Sequence, residues 1–199
     1  MTALLRGETV TLPRYDFTTG SRAAEGVPFT LGKNEIIIVE GIHGLNPDLC
    51  AGIPVGEVYR VFVSALTCLN LDDHNRIRTT DVRLLRRIVR DYQFRGTSPV
   101  KTLAMWPSVR RGEEKWIFPY QEMADSVFNT ALHYELPVLG HVAAPLLADV
   151  TPDMESYNLA SRLRKILNYM PDVDENILRE IPPLSLLREF IGGCTIEED

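Results

Sequence analysis

Glu35-Ile-Ile-Ile-Val-Glu-Gly41 is the stretch that decides the predicted fold. Its four consecutive large aliphatic residues lie between Lys33-Asn34 and Gly41, a pattern typical of a strand buried on both faces. Strands of this kind belong to parallel sheets covered by helices, so we predict an α/β fold. Glu40 would then stand at the carboxyl end of the strand, where open α/β sheets place their ligand sites.

Outward from this stretch, the sequence predicts two more strands and one long helix. A second strand is expected at Val58 to Ala65 and a weaker third around Ser126 to Ala131. Between them, Thr80 to Phe94 has helical periodicity, and Thr79, Thr80 and Asp81 are expected to cap its start.

The N-terminal region is predicted to begin with the end of a helix and to continue as an extended segment. Residues 3–6 run into Gly7 like the last turn of a helix, so we expect earlier turns to be missing from this chain. Val10 to Phe17 is extended in character, and Thr18 to Ser21 marks a turn.

The C-terminal region is predicted to be helical. Pro152 to Met170 reads as one helix and Leu184 to Phe190 as a shorter one. We therefore divide the chain into an α/β domain at 1–150 and a helical extension at 151–199 packed on it.

Composition excludes several classes of protein. The 199 residues are 45% hydrophobic and 24% charged, as in ordinary globular proteins, and the net charge of -6 disfavours RNA or an anionic membrane as partner. Cys50, Cys68 and Cys194 form no CxxC pair, so neither disulfides nor zinc are indicated and a cytoplasmic location is expected. The longest mainly apolar stretch, Leu136 to Ala148, is too short to span a bilayer.

The long predicted helix carries a row of arginines, within Asp81-Val-Arg-Leu-Leu-Arg-Arg-Ile-Val-Arg-Asp-Tyr92. At about 100° per residue, one arc of the helix holds four of them, and the aliphatic residues occupy the other side. We call these four the arginine ridge: Arg83, Arg86, Arg87 and Arg90. Like charges three and four apart cost about 0.2–0.5 kcal/mol per pair, so a multivalent anion or a row of carboxylates is expected opposite. Phosphate is the sharper interpretation, and a solvated face paired with acidic residues is the alternative.

Three further positions could contact a ligand. Tyr15-Asp16-Phe17 places a hydrogen-bond acceptor between two rings, suited to a nucleobase and a ribose hydroxyl, although two aromatic residues can also simply anchor a loop. Glu40 could serve a hydrated Mg²⁺ or be merely solvated. His43, close by in sequence, could contact substrate or be incidental.

No functional phosphate-binding loop is found. The nearest approach, Gly26-Val-Pro-Phe-Thr-Leu-Gly-Lys-Asn34, has five residues between its glycines where the motif has four. Asn34 stands where Ser or Thr would bind Mg²⁺, and the segment precedes a strand, whereas a phosphate-binding loop follows one.

Four segments in order resemble the uridine kinase and phosphoribulokinase family. They are Pro13-Arg-Tyr-Asp-Phe-Thr-Thr-Gly-Ser-Arg22, Ile36-Ile-Ile-Val-Glu-Gly-Ile42, Thr80-Asp-Val-Arg-Leu-Leu-Arg-Arg-Ile-Val-Arg-Asp91 and Arg95-Gly96. The resemblance covers roughly residues 3–135. Asn70 to Ile77 and Trp106 to Lys115 resemble a bacterial nucleoside-kinase branch whose longer members carry N-terminal segments similar to accessory domains of threonyl-tRNA synthetase.

The resemblance implies roles for individual residues. Tyr15, Asp16 and Phe17 would line a nucleoside pocket, Glu40 would assist the metal through water, and an arginine lid at about 76–117 would cover the phosphates of ATP. Within that lid the resemblance names Arg83, Arg86 and Arg90. Two weaker candidates are Arg95, for the phosphates, and Arg22, which lies outside the lid and would contact the substrate. The family usually has a histidine where this chain has Gly20, which leaves the preference for pyrimidines open.

The resemblance also implies that parts of the kinase lie outside this chain. The family's phosphate-binding loop and catalytic aspartate are upstream of the matching region, so we expect a partial P-loop-kinase-like sheet without its phosphate-loop strand. Such a chain would be inactive alone and would need Mg²⁺, ATP and a nucleoside only in a full-length parent. We expect its exposed strand edges to be paired directly, or covered in a homo-oligomer or by the missing N-terminal half. The alternative is a non-catalytic nucleotide-binding or regulatory module.

Overall fold

The computed structural model describes residues 1–16 and 21–196. The helices among these residues are α1 (Thr2–Leu5), α2 (Thr79–Arg95), α3 (Pro99–Trp116), α4 (Glu135–Ala148), α5 (Tyr157–Leu167), α6 (Glu175–Glu180) and α7 (Arg188–Ile191). The strands are β1 (Val10–Leu12), β2 (Tyr15–Asp16), β3 (Ser21–Arg22), β4 (Val27–Phe29), β5 (Val61–Ser64) and β6 (Ser126–Asn129). The fold is mixed α/β, with short strands and longer helices.

The chain divides into two compact units. The strand-rich unit comprises Met1–Phe62 and Glu113–Ser126, and the helical unit comprises Val63–Gly112 and Val127–Asp199. In the strand-rich unit, β1 pairs with β4 and β2 with β3, both antiparallel. The predicted extended segment is thus confirmed from Val10 to Asp16, whereas Phe17 and most of the predicted turn lie outside the described residues.

The predicted parallel pairing is found on a small scale. β5 lies within the predicted second strand and β6 within the third, and the two form a two-stranded sheet. The carbonyl of Arg60 accepts from the amide of Ser126 at 3.2 Å, and that of Ser64 accepts from Thr130 at 2.9 Å. Both partners advance along the chain in the same direction, so the strands are parallel.

The predicted strand at residues 35–40 is wrong. The segment has no regular secondary structure, and Ile36 and Ile38 are 88% and 90% exposed. A strand needs a neighbour to satisfy its backbone N–H and C=O groups, and no described strand pairs with this segment. Direct pairing with residues 58–65, one of the two predicted alternatives, is therefore not found, and completion by another chain stays a prediction.

The core of the helical unit is built around α2. The predicted helix at 80–94 is confirmed, and Gly96 ends it in the left-handed region at φ 56°. The apolar side of α2 is fully buried, and its residues are Val82, Leu84, Leu85, Ile88 and Val89. This side packs in one cluster with apolar residues of α4, α5 and α7.

The predicted cap of α2 is wrong. Arg78 occupies the N-cap position without a side-chain hydrogen bond, and Asp81 is buried. The Asp81 carboxylate instead accepts from Arg162 Nη2 of α5 at 2.5 Å. A buried carboxylate needs a charged partner more than the helix end needs a cap, because exposed N–H groups can bond to water.

Helices α3 and α4 were not predicted. Each contains an interior proline, Pro107 in α3 and Pro145 in α4, which in sequence analysis usually ends a helix. Burial of Leu139 and Leu147 stabilises α4 despite that proline. The C-terminal prediction is right in kind but not in extent, since α5 and α7 are shorter than the predicted helices.

Candidate functional site

In the strand-rich unit, the β2–β3 hairpin brings together residues from two sequence predictions. Tyr15 stands opposite Arg22 in the backbone register, and Asp16 stands opposite Ser21. Arg22 is exposed. Phe17, the third predicted residue of the nucleoside pocket, lies outside the described residues. The register therefore makes Arg22 a cross-strand neighbour of the predicted nucleoside-binding segment.

Glu40 does not stand at a strand end, because the segment before it is not a strand. Its side chain is exposed. Mg²⁺ keeps most of its waters and needs only one or two protein carboxylates beside substrate phosphates, so an exposed carboxylate fits an outer-sphere role. Among residues 1–16 and 21–196, no group of three or more His, Cys, Asp or Glu side chains could hold a metal on its own.

His43 contacts an aromatic residue that sequence analysis missed. Its ring centroid lies 5.0 Å from that of Trp116 at an interplanar angle of 73°, an edge-to-face arrangement. Lys115 Nζ lies 4.5 Å from the Trp116 ring centroid. The two rings are distant in sequence, so no local pattern could have indicated this contact.

In the segment closest to a phosphate-binding loop, a backbone amide already bonds to the side chain of the residue that follows the segment. Gly26 to Asn34 forms β4 and the loop after it. The amide of Gly32 donates to Glu35 Oε2 at 2.7 Å. The Glu35 carboxylate therefore already accepts from the Gly32 amide, a type of backbone donor that a phosphate-binding loop would offer to a phosphate.

Arg86 of the arginine ridge forms its hydrogen bonds and its ion pair within the helical unit. Its Nε donates to Glu135 Oε2 at 2.7 Å, its Nη1 to the Thr130 hydroxyl at 3.1 Å and its Nη2 to the Thr130 carbonyl at 2.7 Å. Nη2 also pairs with Glu135, whose side chain is only 2% exposed. Burial raises the pKa of Glu135, and the charge of Arg86 offsets part of that rise. Arg86 thus ties α2 to the end of β6 and the start of α4.

Arg87 and Arg95 converge on a single buried carboxylate. Arg87 Nε lies 3.2 Å from Asp91 Oδ2, and Arg95 Nη1 lies 2.9 Å from Asp91 Oδ1. The hydroxyl of Thr102 in α3 donates to Asp91 Oδ2 at 3.0 Å. The Asp91 side chain is 2% exposed, whereas those of Arg87 and Arg95 are 32% and 49% exposed. We call these four residues the Asp91 cluster.

Arg90 lies beside this cluster. Burial lowers its pKa, and the neighbouring charges of Arg95, Arg87 and Arg86 lower it further. Its guanidinium pairs with Glu189 and lies 5.5 Å from the Phe190 ring centroid. Arg83, the remaining member of the ridge, is half-buried.

The ridge therefore meets carboxylates, the alternative that the sequence left open beside phosphate. Glu135, Asp91 and Glu189 each pair with at least one arginine of α2. The arginines differ in exposure, since the Arg86 side chain is 11% exposed and those of Arg87 and Arg95 are 32% and 49% exposed. Whether a phosphate joins them stays a prediction.

A separate cavity of about 450 Å³ lies between α4 and the turn after α5. His141 lines it, with Nδ1 2.8 Å from the Val173 carbonyl oxygen and Nε2 3.6 Å from Glu175 Oε1. None of the residues named as candidates from the sequence lines this cavity.

Comparison with known proteins confirms the resemblance to uridine kinases. The chain is 28% identical to a uridine kinase of Macrococcus caseolyticus over 125 residues, which is 62% of this chain and 52% of that protein. It is 31% identical to a uridine kinase of Halobacterium salinarum over 127 residues, 63% of this chain and 48% of that protein. A uridine kinase of Deinococcus deserti is 28% identical over 126 residues, 63% of this chain and 52% of its own length.

The chain spans about half the length of the curated relatives it matches. No protein-family model matches it. No helix among the described residues has the length and apolar character needed to cross a bilayer. What the comparisons show is that 62–63% of the chain is similar to uridine kinases.

Proposed function

We propose that this chain is the acceptor-side and lid segment of a nucleoside kinase, which in a full-length parent transfers a phosphoryl group from ATP to a nucleoside with the help of Mg²⁺. The observation that carries the proposal is the match of about 125 residues to uridine kinases at 28–31% identity.

On the phosphate side, the arrangement of arginines supports the proposal. Phosphoryl transfer leaves little covalent chemistry to the protein, and its rate depends on positioning and on neutralising charge. Arg87, Arg90 and Arg95 are partly exposed, and they concentrate positive charge along the last two turns of α2. Bidentate guanidinium groups match the geometry of phosphate oxygens.

On the nucleoside side, the β2–β3 hairpin supports the proposal. Its register places Arg22 opposite Tyr15, within the segment that resembles the nucleoside pocket of the family. We assign Asp16 to a ribose hydroxyl, Tyr15 and Phe17 to the base, and Glu40 to the hydrated metal. His43, held against Trp116, would contact the substrate from the following segment.

We also propose that the chain does not turn over by itself. The printed sequence contains no Gly-x-x-x-x-Gly-Lys-Ser/Thr motif, and that loop supplies the backbone cradle and the lysine for the phosphates of ATP. Without the cradle and the lysine, most of the rate enhancement is lost.

The experiment that tests the proposal is calorimetric titration of the chain with uridine and with Mg²⁺-ATP, beside an assay for uridine phosphorylation. We expect weak uridine binding that Asp16→Ala abolishes, at most weak ATP binding, and no phosphorylation. Asp48→Ala, which removes an exposed carboxylate of the same unit, is the matched control and should bind uridine as the wild type does.

Two results would contradict the proposal at different points. Uridine binding that Asp16→Ala leaves unchanged would remove the nucleoside pocket from the hairpin. Tight, Mg²⁺-dependent ATP binding would show that the chain holds nucleotide without the expected loop.

A further inference from the structure

Asp91 occupies a position that is unfavourable for a carboxylate. It lies one turn before the C-terminal end of α2, where the helix dipole disfavours negative charge, and its side chain is 2% exposed. A buried, charged carboxylate is costly unless it is paired and hydrogen-bonded. Oδ1 accepts a hydrogen bond from Arg95 and Oδ2 accepts one from Thr102, while Arg87 Nε lies 3.2 Å from Oδ2 as an ion pair without hydrogen-bond geometry.

The spacing of the cluster shows what the carboxylate does to its neighbours. Arg87 precedes Asp91 by four residues and Arg95 follows it by four, so both arginines lie on the same face of α2 as Asp91. Two guanidinium groups on one helical face would separate if nothing held them. Asp91 forms an ion pair with both, hydrogen-bonded to Arg95 at Oδ1 and near Arg87 at Oδ2, while Thr102 of the next helix donates to the carboxylate itself.

Each arginine reaches Asp91 with one nitrogen and remains partly exposed, at 32% for Arg87 and 49% for Arg95. Part of each arginine side chain therefore lies at the surface of the helical unit, and each guanidinium has N–H donors beyond the one that reaches Asp91.

We propose that Asp91 is a positioning residue that orients Arg87 and Arg95 as a two-armed clamp for a phosphate chain, with Thr102 fixing the carboxylate. The inference rests on the proposed function for its ligand class, the polyphosphate of a nucleotide. Asp91 touches no phosphate itself, and it acts by holding the two guanidinium groups in register.

The direction in which Asp91→Asn changes phosphate affinity distinguishes a positioning role from simple electrostatics. Replacing Asp91 by Asn removes a negative charge next to the clamp, so Coulomb's law alone predicts tighter phosphate binding. Positioning predicts weaker binding, because the two arginines lose the group that holds them. The probe is inorganic tripolyphosphate, titrated calorimetrically into the chain at low ionic strength, where such contacts are strongest.

We expect Arg87→Ala and Arg95→Ala each to weaken tripolyphosphate binding about tenfold, the scale of one charge-assisted hydrogen bond. Asp91→Asn should weaken it by a similar factor in the wild-type background. In the Arg87→Ala, Arg95→Ala background, the same substitution should cause no further loss, because no guanidinium remains to be oriented.

Asp81 supplies a matched control at the other end of the same helix. It is equally buried and pairs with Arg162, an arginine outside the ridge. Asp81→Asn should lower the thermal stability as Asp91→Asn does but leave tripolyphosphate binding unchanged. Thr102→Val changes no charge, and it should weaken binding about two- to threefold, so it tests the idea even if Asp91→Asn does not fold.

The outcomes separate the inference from the proposed function. If the chain binds no tripolyphosphate, or if Arg87→Ala and Arg95→Ala bind it as the wild type does, the phosphate assignment fails and the clamp with it. If both arginine variants weaken binding while Asp91→Asn tightens it and Thr102→Val leaves it unchanged, the positioning role alone is overturned. Equal losses from Asp91→Asn in both backgrounds would likewise reduce Asp91 to a structural residue.

Discussion

Two segments that carry several large aliphatic residues have opposite environments in this protein. On α2, Leu85 and Ile88 are fully buried, whereas Ile36 and Ile38 of the segment at 35–40 are 88% and 90% exposed. Both segments carry enough aliphatic surface to form a core. The difference is that α2 makes its own backbone hydrogen bonds and needs only a surface to pack on, whereas a strand needs a neighbouring strand before it exists at all.

The comparison also explains where apolar surface remains exposed. Val63, Val127 and Phe128 on the β5–β6 pair are 57%, 58% and 61% exposed. A two-stranded sheet is marginal by itself, and exposed apolar edges favour association with further strands. The helical core has no comparable need, since its apolar face is already covered by other helices.

The largest expected effect comes from truncating one residue in each segment. Leu85→Ala should lower the free energy of unfolding by about 2–5 kcal/mol, because it leaves a cavity in a packed core. Ile38→Ala should change it by less than about 0.5 kcal/mol, because the side chain is solvated. Urea denaturation followed by circular dichroism measures both. Equal losses would mean that the segment at 35–40 is packed in solution.

A smaller effect is expected on self-association. If the exposed segment associates with a second copy of the chain, one of the alternatives predicted from the sequence, the double substitution Ile36→Ser and Ile38→Ser should shift the protein toward the monomer without lowering its stability. Light scattering over a range of concentrations measures the shift. Val55→Ser, at an 82% exposed residue outside the segment, is the control and should not alter the mass. A well-dispersed wild-type monomer would refute the homo-oligomer.

The smallest expected effect is a pH dependence in the helical core. Burial raises the pKa of Glu135 above its ordinary value of 4.5, although Arg86 offsets part of the rise. The folded state then binds this proton more tightly than the unfolded state does. Its contribution to stability is present below pH 4.5 and is lost as the pH rises through the folded pKa.

The measurement is the free energy of unfolding of the wild type minus that of Glu135→Gln. This difference should fall as the pH rises above 4.5. The Gln variant keeps the size of the side chain but cannot titrate, so other carboxylates cancel in the difference. A difference that rises with pH would show that pairing with Arg86 outweighs burial.

Sequence analysis succeeded where the cause of structure is local. The extent of α2 was predicted within one residue at each end, because its apolar stripe and Gly96 are properties of the segment itself. It failed for α3 and α4, since Pro107 and Pro145 indicate helix ends and only burial against other helices stabilises these segments. The segment at 35–40 failed for the opposite reason, because its pattern is that of a strand but no described strand pairs with it.

The candidate site shows the same division. Periodicity determined that Arg83, Arg86, Arg87 and Arg90 share one side of a helix, and the ordered segments indicated the relationship to uridine kinases that comparison confirmed. Nothing in the sequence could show that Glu135, distant along the chain, lies buried beside Arg86, or that Trp116 contacts His43.

The sequence by itself determined which side chains a helix presents together, because a helix repeats every 3.6 residues whatever surrounds it. Only the tertiary structure decided which of those arginines are consumed by buried carboxylates and which remain exposed, because ion pairs depend on distances between segments that local periodicity does not encode.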